Sequence, residues 1–460
     1  MRGEFSVCIL PFDIGHERDR AIAVGGSMTK RTIRRWPNIL AVFAISLIAA
    51  AVTPAQAQDN EAIHLGVQTC AASTCHGAVQ PWQNSVVLQN EYVVWSTHDA
   101  HSGAYKALLS DHAKNMAARL GIGAAHESEL CLGCHTDNVA EDRRGKNFDT
   151  ADGVGCEACH GGAENWLGTH VSGVSSRPEL VAIGMYPTED PVARAELCLG
   201  CHQPNANKMV THRIMAVGHP RLTFELDTFS VNQPAHARID NDYRQRKPVA
   251  DGANMWAIGQ GVAAREHLLG LAKSMRGRSH LFPELTFFEC GSCHHSYENA
   301  KWRPQPGVGL GPGEPQLYDA NLVMLRAIAE ARDPELAASL RNQTRALHRA
   351  TRQGAGAVAR AAETLAATAD RMTQSLADSP LRESDLRAAL AALTSSGLAA
   401  DYNDFGAAEQ ATMAAASLMA ALGDTNTKVL DPLYDATQSP ARYNSRGFAN
   451  ALAQLRNYLQ

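Results

Sequence analysis

The sequence predicts a mainly α fold with little or no β-sheet, in which an irregular, motif-dense segment precedes a C-terminal α-helical bundle. Three observations lead to it. Runs that alternate apolar and polar residues, the mark of a half-buried strand, are absent. Ten of the eleven cysteines fall within residues 58–302 as five pairs, each closed by a histidine, in a stretch poor in long periodic runs. Beyond Asp333, apolar residues return at intervals built from four and seven, the spacing of one helix face.

The pairs are Cys70 and Cys75 before His76, Cys131 and Cys134 before His135, Cys156 and Cys159 before His160, Cys198 and Cys201 before His202, and Cys290 and Cys293 before His294. Four read C-x-x-C-H, and the first is stretched to C-x₄-C-H. In this pattern two thiols add across the two vinyl groups of a haem, and the adjacent histidine reaches the iron. A lone C-x-x-C also fits a zinc knuckle or a redox disulfide. Five pairs with the same trailing histidine, and only Cys8 left outside them, fit covalent haem c instead. The expected cofactor is five haems, with His76, His135, His160, His202 and His294 as proximal iron ligands. The macrocycles would supply the apolar bulk that side chains give an ordinary core, which is why the segment needs few periodic helices.

Met28 to Arg35 carry Lys30, Arg31, Arg34 and Arg35, followed by an apolar run from Ile39 to Val52 and then Ala55-Gln56-Ala57. This reads as a Sec-type signal peptide cut before Gln58, with residues 1–27 an over-extended start. The apolar run is short for a membrane span, which needs about 20 residues. A soluble periplasmic protein is expected, in keeping with haem attachment outside the cytoplasmic membrane. The formal net charge of −5 becomes −8 once residues 1–57, with seven Lys/Arg and four Asp/Glu, are removed. That balance excludes a nucleic-acid partner and suits docking to redox proteins, either other cytochromes or a membrane quinol-oxidising complex.

Within residues 58–302, the pentahaem part, short helices are expected at Ser102–Leu120 and Val262–Ser274. Residues 303–315 (Arg-Pro-Gln-Pro-Gly-Val-Gly-Leu-Gly-Pro-Gly-Glu-Pro) are too rich in Pro and Gly for helix or central strand and read as a linker. Asp333-Pro334-Glu335 then starts a helix. Leu336, Leu340, Leu347, Val358, Leu365, Met372 and Leu376 argue one long helix, interrupted at Gly354 and Gly356. Further helices are expected from Ser379-Pro380 to Gly397, from Phe405 to Leu422, and through Phe448, Leu452, Leu455 and Leu459. Residues 316–460 thus read as a bundle that clamps the haem part or joins two copies of the chain.

Of nineteen histidines, His16 lies in the predicted leader and five are proximal, so thirteen remain for the far side of the irons. A second histidine closes an iron for electron transfer; its absence leaves a site open to a small molecule. His212 and His219, seven apart, are expected on one face of a helix ending near Gly218, each as a distal ligand. His236, after Gln233-Pro234-Ala235, is a further candidate. His64, His112, His126, His267, His280 and His295 read as surface or supporting residues. His348 reads as packed or solvated, and Met209, Met215 and Met255 as core.

Residues 65–202 resemble the cytochrome c-554 family, tetrahaem cytochromes related to the hydroxylamine oxidoreductases. The resemblance is carried by Trp95 and His101 after the first motif, by Cys-Leu-Gly-Cys-His at 131–135, by Gly-Val-Gly-Cys-Glu-Ala-Cys-His-Gly at 153–161, and by a fourth motif. His170, ten residues past His160, also sits where the family has a ligand. The resemblance implies that His101 and His170 are distal ligands to haems of other motifs, with His98 competing for the role of His101. It also implies that the His135 haem keeps a vacant face able to bind NO or a similar ligand. The stretched first motif, the fifth motif and the helical C-terminus depart from the family.

The function expected from these readings is a periplasmic multihaem cytochrome that transfers electrons through five covalent haems. The alternative is a reductase or oxidase of a small nitrogen or sulfur compound at one open haem. No catalytic residue is assigned: the pentahaem nitrite reductases carry a lysine in their catalytic motif, whereas all five motifs here end in histidine. A gas sensor would not need five haems.

Overall fold

The computed structural model describes residues 62–85, 87–249, 251–276, 284–295, 308–311, 313–395 and 401–460. The predicted leader, His280, Gly397 and residues 303–307 and 312 of the 303–315 segment lie outside the described residues. The described residues are helical, with two isolated bridges, His64 to Arg144 and Phe288 to Leu317, and no strand. The mainly α expectation holds.

Short helices carry most of the motifs. Glu129–His135, Cys156–His160 and Pro191–His202 each end on a motif histidine, and Cys290–Ser292 is a 3₁₀ turn. The expected helix over Ser102–Leu120 is broken. A 3₁₀ turn at Ala100–Gly103 leads into Ala104–Leu108, and Asp111–Leu120 starts afresh where the Ser110 hydroxyl accepts from Ala113 N–H. Asp99 caps the first piece by accepting from His101 N–H. Side chains that satisfy free N–H groups compete with helix continuation, so two caps eleven residues apart give two starts.

Apolar packing is uneven. Before Pro191 the motif-bearing part has one small cluster, made by Leu108, Ala117, Ala125 and Leu132. From Ala195 to Leu455 a single large cluster runs through the helices. Its axis is the helix Gly252–Met275, longer than the expected Val262–Ser274 and buried on nearly all sides, including Trp256 and Ile258. A helix apolar all round belongs inside a protein. Its glycines let neighbours approach: a Cβ on Gly261 would lie 2.1 Å from Thr373 Oγ1. Gln260, buried on this helix, is paired with Gln410 and with Asn321 at 2.8 Å each.

Thr373 belongs to the helix Ala355–Asp378, which packs along Gly252–Met275. The expected long helix through Gly354 is therefore two, Pro334–Ala350 and Ala355–Asp378, packed against each other. Gly354 has φ +99°, a left-handed value that glycine adopts freely, and it turns the chain. The helices Glu383–Leu393, Phe405–Ala421 and Ser445–Leu459 follow the expected order, and Ala320–Arg332 is an additional helix.

The haem-bearing and C-terminal parts share this core. Ala195 and Leu199, on the fourth motif's helix, belong to it. Arg265 reaches Glu196 on that helix at 2.8 Å and Asp370 of Ala355–Asp378 at 2.9 Å. The fifth motif is joined to the start of the C-terminal helices: Glu289 N–H donates to Gln316 O at 2.9 Å and Tyr318 N–H to Phe287 O at 2.8 Å. The 62–190 region, lacking a comparable core, depends on the groups it holds. When the chain is made without haem attachment, limited proteolysis should cut within 62–190 while the helices 252–275 and 320–393 stay protected, with most of the far-ultraviolet helical signal retained.

Candidate haem-iron sites

The structure brings each motif histidine face to face with one of the five candidate distal histidines. A metal–imidazole bond is about 2.0–2.1 Å long, so two rings bound end-on to one metal ion place their centroids about 6 Å apart. The observed centroid separations are 6.1 Å for His76 and His170, 6.4 Å for His135 and His219, 6.4 Å for His160 and His236, 6.0 Å for His202 and His101, and 5.9 Å for His294 and His212. Among the described residues no three His, Cys, Asp or Glu side chains converge as a protein-only metal site. A donor set of two imidazoles with thiols close by is what a metal with four equatorial ligands of its own requires. The residues therefore fit haem.

Tautomers are fixed for several of these rings. His135 Nδ1 faces Ala104 O at 2.9 Å, His170 Nδ1 faces Leu167 O at 2.9 Å, and His219 Nδ1 faces Pro220 O at 2.8 Å. His76 Nδ1 faces Glu91 at 2.9 Å and His101 Nδ1 faces Asp99 at 2.7 Å. With Nδ1 donating, Nε2 keeps its lone pair for a metal. Loss of solvation pushes the pKa of His160 and of His202 down to about 4, leaving both neutral at pH 7, as ligation demands. His219 is lowered by the same cause, and the hydrogen bond that His76 donates to Glu91 raises His76.

The stretched first motif gives the same presentation as the others. His294 N–H returns to Cys290 O at 2.8 Å, four residues back, and His76 N–H returns to Cys70 O at 3.1 Å, six back. The inserted residues loop outward, and the first cysteine stays beside the histidine. Motifs also approach one another. Gly66 N–H, just before the first motif, donates to Glu157 of the third at 2.7 Å. Tyr186 donates from its N–H to His160 O and from its hydroxyl to Ala193 O on the fourth motif's helix, each at 2.8 Å, and Cys201 Sγ donates to Gly133 O of the second motif at 3.9 Å.

Two expectations change. His212 and His219 do not share a helix face: the helix His212–Ala216 is five residues long, and His219 follows Gly218 at φ +124°. They face different motifs, the fifth and the second. The vacant face at His135, implied by the family resemblance, is instead faced by His219. The competition at 98 and 101 also resolves, since His98 is exposed and His101 stands opposite His202.

The other histidines have local roles. His112 Nε2 donates to Gly218 O at 3.2 Å and so supports the turn that presents His219. His64 holds Asp137 at 2.7 Å, and buried His348 is hydrogen-bonded to Thr344 O at 2.9 Å. His267 is buried beside Phe287 and Tyr318. Sequence reasoning missed Glu157, inside the third motif. Its buried carboxylate accepts from the backbone N–H groups of Leu65, Gly66 and Ala163, each at 2.7 Å, and ties the start of the described chain to this motif. Trp95 Nε1 donates to Val154 O at 3.0 Å, fastening the helix before His101 to the same segment.

The family described as cytochrome c554 and c-prime matches residues 69–161. The chain resembles the cytochrome c-554 family. Cytochrome c-554 of Nitrosomonas europaea is 28% identical over 140 residues, which cover 28% of this chain and 52% of that protein. The match thus spans about half the length of this curated relative. No solved structure gives a significant match. The matched segment holds the first three motifs, Trp95 and Glu157, and the His135 site where His219 closes in lies at its heart.

The pairs fall into two classes by ring orientation. His76 with His170 and His212 with His294 are near parallel, at 15° and 25°, whereas the other three pairs lie between 84° and 90°. Electron paramagnetic resonance of the oxidised, haem-loaded protein should show two rhombic low-spin signals and three of the large-g type given by perpendicular ligand planes. His219→Ala should turn one perpendicular-class signal high-spin and add one equivalent of CO binding to the reduced protein. His112→Ala should weaken this closure without abolishing it.

Proposed function

We propose that the chain is an exported pentahaem cytochrome that transfers electrons between redox proteins in the periplasm. The five histidine pairs at about 6 Å carry this reading, because each would hold a haem iron between two imidazoles and so favour electron transfer over substrate binding. Haem bound there would supply one-electron chemistry, with the residues of this chain holding and orienting it. The ten motif cysteines anchor the macrocycles, and the paired imidazoles fix their planes.

The chain's own contacts suggest an order for the centres. Glu157 joins the third motif to Gly66 beside the first, Tyr186 joins His160 to the fourth motif's helix, and Cys201 joins the fourth motif to Gly133 of the second. His212 and His219, seven residues apart, link the fifth centre to the second. This gives a run of first, third, fourth, second and fifth, in which side chains set the spacing between neighbours. The reductase or oxidase alternative needs an open iron, and the placement of His219 opposite His135 weighs against it.

Export rests on the leader-like sequence over 28–57 and on the site of haem attachment; among the described residues no helix is long and apolar enough to cross a membrane. Redox partners of the expected kind are other cytochromes or a membrane quinol-oxidising complex, met through a surface of net negative charge. The C-terminal helices are proposed as the clamp that orients the fourth and fifth motifs, and as the face through which copies would associate.

Whole-protein mass spectrometry of the exported protein should give the polypeptide from Gln58 plus five haem masses. The reduced protein should bind neither CO nor NO at its native pH. Four haems with two free thiols would remove the first motif from the set, and a high-spin fraction that turns over nitrite or hydroxylamine would favour the enzyme.

A further inference from the structure

Two of the ten paired histidines differ from the others in what stands behind them. His135, His170 and His219 turn Nδ1 to backbone carbonyls. His76 and His101 turn it to carboxylates, Glu91 Oε2 at 2.9 Å and Asp99 Oδ1 at 2.7 Å. Both carboxylates are held in place. Glu91 opens the helix Glu91–His98, and its Oε1 accepts from Gln89 N–H at 3.2 Å. Asp99 is 7% exposed; its Oδ1 also accepts from His101 N–H at 3.0 Å and its Oδ2 from Gln233 Nε2 at 3.1 Å.

A carboxylate that accepts Nδ1–H draws the proton away from the ring and gives the imidazole partial imidazolate character. Nε2 becomes a stronger donor, and a stronger donor favours ferric over ferrous iron. A backbone carbonyl does the same only weakly, because it carries no net charge. We propose that Glu91 and Asp99 are positioning residues that lower the reduction potentials of the His76–His170 and His101–His202 centres. The inference rests on the five-pair reading given above. It gives the run of centres a relief. The His160–His236 pair, from the third motif, lies between the two lowered centres and becomes a resting place for an electron. Gln233, three residues before His236, touches Asp99 and so joins the lowered fourth centre to the third.

The test is a redox titration of the haem-loaded full chain followed by electron paramagnetic resonance, in wild type, Glu91→Gln and Asp99→Asn. Each variant keeps the size and an acceptor oxygen of the original side chain and removes the charge. Loss of such a partner changes metal affinity about 10–100-fold. A tenfold change in the ferric-to-ferrous preference corresponds to about 59 mV for a one-electron couple. Glu91→Gln should raise the midpoint of one near-parallel signal by at least that factor, and Asp99→Asn that of one perpendicular signal. The other four midpoints should stay put, with five haems and all iron low-spin. A merely structural role would show as lost haem or altered spin state with unmoved midpoints.

Titrations that superimpose on wild type, with all five irons low-spin, would overturn the proposal. Should Asp99→Asn not accumulate, Glu91→Gln decides, since Glu91 is the less buried of the two. A wild type with fewer than five haems, or with high-spin iron at the first or fourth motif, would instead sink the five-pair reading and this inference with it.

Discussion

Two imidazoles whose ring centroids lie about 6 Å apart, one from a motif and one from a distant stretch of chain, have the spacing of two rings bound to one metal ion. Five such pairs, each joining residues distant in sequence, set the course of the chain from His76 to His294. The short helices, the extended connections and the sparse apolar packing before Pro191 follow from that constraint. A segment whose paired histidines come from distant stretches of chain shows little continuous apolar packing of its own.

Around each pair the protein adds a layer that decides how the ligand is held. Backbone carbonyls at Ala104, Leu167 and Pro220 give orientation with little charge, whereas Glu91 and Asp99 give orientation with a full negative charge. Glu157 and His112 act one step further out, on the backbone that carries the ligands. These roles separate anchoring, aiming and tuning onto different residues. The His135 ring is faced by His219, a residue from beyond the matched segment.

Much of this was legible in the sequence because covalent attachment imposes a fixed local spacing. The ten cysteines and five proximal histidines are read directly from it, and the five distal candidates all stand opposite a motif histidine. Which partner each one takes was not legible, since pairing is a long-range property. His212 and His219 look like neighbours on a helix and face different motifs because Gly218 turns the chain between them. The helix periodicity after Asp333 was sound, but the pattern runs in phase across Gly354 and concealed a reversal of direction. The boundary placed at 303–315 reflected composition. The contacts that join Phe287 and Glu289 to Tyr318 and Gln316 are made by backbone groups, which leave no trace in composition.

The central helix Gly252–Met275 touches both the fourth motif's helix and the C-terminal helices, and it gains its burial from segments that follow it in the chain. Synthesis delivers the five motifs in order, with the first three emerging long before Ala355–Asp378 exists to cover that helix. The frame against which the fourth motif is seated thus arrives only after that motif. The portion of the molecule made earliest is the one that must wait longest for its final surroundings.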